Sequence, residues 1–186
     1  FGGKLDLRAT FNAAGDTGKF STKGTIEGVD IAALLQAAEV EADVTGTATM
    51  DWQFNSRGAT GNQLVKALTG PANLTTDGVV LEDVGIEKMM CEAVALVNQD
   101  AMTETLPESS TLRDLSARVV MRDGSAVLDP LNIDANAARL RGDGRLDLLS
   151  QDFRATFAAQ ITPELAELDP ACEVNERYTD IEWPVA

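Results

Sequence analysis

Residues 112–161 constrain the fold more than any other stretch, because they read as consecutive antiparallel strands joined by tight turns. Leu115, Ala117, Val119 and Met121 alternate with polar residues up to Asp123-Gly124, a dipeptide suited to a hairpin turn. Ala126 and Leu128 follow, then Leu131, Ile133 and Ala135, then Leu140, Gly142, Gly144, Leu146 and Leu148. A turn at Ser150-Gln151-Asp152 leads into Phe153, Ala155, Phe157 and Ala159. Successive side chains of a strand point to opposite faces, so these apolar residues share one face of a sheet. That dry face needs a cover of helices or of ligand.

The upstream chain has the same character with helices interspersed. Leu5, Leu7, Ala9 and Phe11 mark a first strand, 14–18 a turn, and 19–29 a second strand with Phe20 and Ile26 on one face. Asp30 is placed to cap a short helix from Ile31 to about Ala38, with Ile31, Leu34, Leu35 and Ala38 as its stripe. Residues 42–56 form the clearest strand, in which Val44, Gly46, Ala48, Met50, Trp52 and Phe54 alternate with Asp, Thr and Gln. Thr60 or Asn62 could cap a second helix carrying Leu64, Val65 and Leu68 inward, and Gly70-Pro71 would stop it. A strand over 72–80 precedes the best helix, Gly85 to Asn98, whose inward stripe reads Ile86, Met90, Ala93 and Val97, flanked by Met89 and Val94. Residues 99–111 lack periodicity and predict a mobile loop. Residues 162–186, with three prolines, predict an extended tail laid over the sheet. The strand-to-helix steps at 24–31 and 77–86 resemble each other, as in a repeated unit.

The expectation is an α+β fold: a curved, mainly antiparallel sheet with about three short helices at one face or end. Residues 1–161 would form the domain and 162–186 the tail.

Chemistry is restricted by what the chain lacks. It contains no histidine, which removes the commonest general base and the commonest zinc ligand. No pair of acids is placed to suggest a carboxylate hydrolase, so neither catalysis nor a cofactor is expected. Arg141-Gly142-Asp143-Gly144-Arg145 lacks the spacing of a calcium loop and the lysine of a phosphate loop, and fits a strand. The formal charge of −15 disfavours nucleic acid and anionic membrane surfaces as partners. No apolar run approaches the ~20 residues needed to cross a bilayer.

The two cysteines suggest a link. Cys91 lies off the expected stripe of its helix and Cys172 lies in the tail. A disulfide between them would pin tail to helix and would require an oxidising compartment. Two separate free thiols, or pairing of Cys172 with a cysteine of a longer chain, are the alternatives.

Residues 112–124, LRDLSARVVMRDG, followed by 140–148, LRGDGRLDL, resemble the C-terminal domain of the bacterial AsmA family. Residues 24–35 and 74–90 are similar to that family's strand-then-helix elements, so the likeness covers most of 19–161. The resemblance implies a periplasmic domain held at the inner membrane by an N-terminal helix outside this sequence. It also implies a role in outer-membrane biogenesis, with a curved sheet whose apolar lining takes phospholipid acyl chains. Met50, Trp52, Phe54, Val119, Met121, Phe153 and Phe157 are then the candidate lining. The alternative is an interaction module of envelope assembly in which the helices close the sheet.

Overall fold

The computed structural model describes residues 2–13, 17–37, 39–175, 179 and 181–185. Its nine strands form one antiparallel, curved, open sheet in which spatial order equals chain order. They are β1 (Lys4–Asn12), β2 (Gly18–Asp30), β3 (Val44–Gly58), β4 (Gly70–Leu81), β5 (Ser110–Arg122), β6 (Ser125–Ala135), β7 (Ala138–Asp147), β8 (Phe153–Ile161) and β9 (Glu182–Val185). The helices are α1 (Ile31–Ala37), α2 (Gly61–Lys66) and α3 (Ile86–Asn98). Because the strands alternate in direction, α1 and α3 occupy the end where β2 and β4 finish, while α2 occupies the opposite end. Every strand pairs with its neighbour in sequence, across tight turns at β5–β6 and β6–β7 and across helix-bearing connections at β2–β3, β3–β4 and β4–β5.

Turn and cap chemistry places these elements. Asp123 and Gly124 both adopt positive φ, so Arg122 pairs directly with Ser125 across a two-residue hairpin turn. Asp30 caps α1, its Oδ1 accepting from the Ala33 N–H at 2.8 Å, and the Thr60 hydroxyl caps α2. The two similar strand-to-helix steps are alike in geometry as well. Gly28 and Gly78 sit at φ 62° and 60°, each disturbs the register, and the valine that follows, Val29 or Val79, is 2% exposed.

Several expectations are corrected. α2 ends at Lys66, and Gly70-Pro71 opens β4 instead of stopping the helix. The buried residues of α3 are Ile86, Glu87, Cys91 and Ala95, whereas Ala93 is exposed and Val97 is 80% exposed. Cys91 is therefore central to the buried stripe, not off it. The expected mobile loop gives up Ser110 and Thr111 to β5, and its remainder is tied down by the Asp169 carboxylate. The tail is not extended over the sheet. It makes two 3₁₀ turns, Pro163–Glu167 and Pro170–Cys172, against α3, then returns as β9 at the edge of the same sheet. Residues 14–16 of the turn proposed at 14–18, and Ala38 of the α1 stripe, lie outside the described residues.

The core is divided. One cluster, of Val79, Ile86, Leu112, Ala135 and Ala138, lies where α3 packs on the apolar face. A second, of Cys91, Ala137, Leu165 and Cys172, joins α3 to the 3₁₀ turns. A third, around Ala72, Ala117, Val119, Ala126 and Leu131, consists of strand residues and the adjoining Leu148, with none from a helix.

Candidate functional site: an uncovered apolar trough

Cross-strand register turns alternation along single strands into rows across the sheet. Leu5, Ile26, Met50, Leu74, Ala117, Leu131, Gly142 and Phe157 are successive partners over eight strands. The adjacent row reads Leu7, Gly24, Trp52, Ala72, Val119, Leu128, Gly144 and Ala155. Neither row contains a polar side chain. On the other face, the intervening partners Asp6, Thr25, Asp51, Asn73 and Arg118 are all polar and exposed.

Exposure varies along the rows. Ala72, Ala117, Val119 and Leu131 at the centre are buried, whereas Leu5 and Leu7 at one flank are 61% and 51% exposed. No helix lies over the central residues, so neighbours crowding together on the inside of the curve must bury them. The apolar face is thus the concave one, a trough with a dry floor and accessible flanks. Total accessible surface is 11743 Å², whereas a compact protein of 19.8 kDa would expose about 8,600 Å².

Of the candidate lining residues, Met50, Trp52, Phe54, Val119, Met121 and Phe157 come together in the strand-built cluster. Phe153 does not join it and stands at the flank, 54% exposed. Leu5, Leu7, Ile26, Leu74 and Leu128 belong to the same floor and were missed as lining. Alternation placed the first two on an apolar strand face, but only register shows which strands they continue.

Two details keep the floor free of open polar groups. The Trp52 indole N–H donates to the Thr22 hydroxyl at 3.2 Å, and the Thr76 hydroxyl donates to the Leu115 carbonyl at 3.3 Å. Elsewhere aromatic rings lie over bare glycine backbone. A Cβ on Gly24 would meet the Trp52 ring at 2.8 Å, one on Gly142 the Phe157 ring at 2.9 Å, and one on Gly144 the Phe153 ring at 3.2 Å.

The polar groups at the α3 end are structural. Asp169 is 1% exposed and its carboxylate accepts from the N–H groups of Ala171, Thr103 and Glu104 and from the Thr103 hydroxyl, at 2.7–3.0 Å. The Ala171 N–H, with those of Glu104 and Thr103, holds this carboxyl below the usual range despite burial. Glu87, 8% exposed, accepts from the Ser110 hydroxyl, which in turn accepts from the Ile86 N–H at 2.7 Å. Cys91 and Cys172 form the expected disulfide, with Cα atoms 4.9 Å apart and both residues fully buried. Among the described residues, no group of three or more Cys, Asp or Glu is arranged to hold a metal ion. No described helix is long and apolar enough to cross a membrane.

Charge is segregated. Residues 30–43, 82–108 and 164–173, the helix and loop segments of the α1–α3 end, hold 15 acidic residues and one basic residue, Lys88, while Arg113 and Arg139 stand at the strand ends beside them. The rest of the chain is nearly balanced, with 15 acidic against 14 basic residues.

No protein-family model, curated protein or solved structure matches this chain.

Proposed function

We propose that this chain is a non-enzymatic periplasmic domain of an inner-membrane-anchored, AsmA-like protein. Its trough holds phospholipid acyl chains in the service of outer-membrane biogenesis. The observation that carries the reading is the pair of eight-strand rows without a polar side chain, lying on the part of the apolar face that no described helix covers. An acyl chain needs this kind of surface, apolar over a long path and without hydrogen-bonding groups that it would leave unpaired. Leaving large side chains such as Leu5, Leu7 and Phe153 about half exposed forgoes roughly 1 kcal/mol of burial for each, which a bound chain would recover. The disulfide fits an oxidising compartment such as the periplasm. The alternative of a scaffold closed by its own helices has less support, since α1 and α2 lie at the sheet ends and α3 covers one end alone.

Trp52 lies in the trough, so brominated phosphatidylcholine should quench its fluorescence, and phospholipid should be recovered by solvent extraction of the purified protein. The double substitution Leu7→Glu, Phe153→Glu puts charge on both flanks and should weaken lipid uptake by about tenfold or more. Absence of both co-purifying phospholipid and quenching would remove the proposal.

A further inference from the structure

α3 carries a second apolar stripe that the described residues leave exposed. Met89, Ala93 and Val97 recur every four residues on its outer side, with Met89 57% and Val97 80% exposed. Sequence periodicity assigned Ala93 and Val97 to the core, and the periodicity is real. Among the described residues, none covers Val97. The stripe forms one wall of a groove of about 720 Å³ whose floor includes Leu140, Ala159 and Trp183. That volume is within the ordinary range for a binding cleft.

We propose that this groove docks an amphipathic helix of a partner protein that bears Lys and Arg on its polar face. Three observations select this occupant. First, spacing of four residues along the 13-residue α3, about 20 Å long, presents a ridge of the kind that a second helix packs against. Second, the neighbouring sheet edge discourages a strand, since β9 has four residues and includes Pro184, which has no N–H to donate. Third, the groove opens at the end of the molecule whose helix and loop segments carry 15 acidic residues against one basic residue, with Glu173 in its wall. Of the bases at this end, Lys88 is engaged by Glu108 and Glu92, and Arg113 and Arg139 are engaged by Asp134. A phosphate headgroup would therefore meet repulsion at this mouth, whereas a basic helix would be attracted and steered. The methionines Met89 and Met90 are flexible enough to adapt to a partner side chain. This docking does not depend on the acyl-chain reading of the trough.

The test uses a fluorescein-labelled amphipathic peptide of about 18 residues, long enough to match α3, with Leu on one face and Lys on the other. Its twin carries Glu in place of Lys. Anisotropy titrations should show binding of the Lys peptide, weakening about tenfold or more between low salt and 0.5 M salt, and no binding of the Glu twin. The decisive variant is Val97→Glu, at a position exposed enough to leave the fold intact, as a circular-dichroism melt would verify. It adds negative charge, so attraction by charge alone predicts tighter binding, whereas docking in the groove predicts binding weaker by about tenfold. Equal or tighter binding by Val97→Glu overturns the proposal, and so does failure of the Lys peptide to bind. Displacement of the bound peptide by phosphatidylcholine micelles in wild type, with the Val97→Glu variant still binding peptide, assigns the groove to lipid and also overturns it.

Discussion

The α3 end and the trough are built from similar apolar residues but finished differently. At the α3 end, Leu165, Ala137, Ala138, Cys91 and Cys172 have no exposed surface, and a disulfide, a four-donor carboxylate and a helix seal them. In the trough, flanking residues of equal hydrophobicity such as Leu5, Leu7 and Phe153 are left about half exposed, on a part of the face that no described helix covers. Sequence hydrophobicity says how much apolar surface exists, while the covering elements decide where it stays wet. The contrast separates side chains that hold the molecule together from those available to something else.

The largest effect that could break this contrast is expected at the sealed end. Replacing both Cys91 and Cys172 with Ala removes a cross-link spanning 81 residues and should lower the unfolding free energy by about 4.5 kcal/mol in the chain-entropy model. Urea titration of the double variant measures this, and an unchanged midpoint would mean that the remaining packing seals the end unaided.

Next in size is a matched pair of truncations. Leu165→Ala, at a fully buried position, should cost about 2–5 kcal/mol, while Phe153→Ala at the trough flank should cost less than about 1 kcal/mol. Equal costs by thermal or chemical denaturation would make the trough an ordinary core.

The smallest effect is pH-dependent and confined to one carboxylate. Donated N–H groups depress the Asp169 pKa in the folded state, so its stabilisation is complete above the unfolded value of about 3.9 and drains away as pH falls through the lower folded value. Amide protection factors, taken relative to intrinsic exchange at each pH, should be steady at residues 102–104 and 169–172 from about pH 5 upward and should fall only on strong acidification. Asp169→Asn should exchange faster throughout and lack that acid step.

Much of the sheet was legible because alternation is a local signal. Trp52 and Phe54 in β3, or Val119 and Met121 in β5, announce their face without reference to any distant residue. Alternation alone did not mark the break in phase between Leu128 and Leu131, which a bulge in the β6–β7 pairing absorbs. What was lost is non-local. The loop after α3 has no periodicity, since it is held by Asp169, 65 and 66 residues away. The 3₁₀ turns near the C-terminus begin at Pro163 and Pro170 and pack by way of a disulfide, none of which produces a repeating pattern. The stripe of α3 was misplaced because the helix is apolar on two sides, and periodicity alone cannot say which side meets the sheet. The cysteine pair was identified although its helix face was not.

The rings laid over glycines have a consequence for movement. A side chain standing upright on a sheet is a step in the floor, and an apolar chain passing it must climb out of contact and back again. Where Trp52, Phe157 and Phe153 recline over Gly24, Gly142 and Gly144, those steps are flattened. Eight strands at about 4.8 Å spacing give a path of roughly 34 Å, comparable with the hydrocarbon thickness of a bilayer. A surface of that length and smoothness grips weakly at every point and strongly nowhere, so a chain lying on it could slide without first letting go.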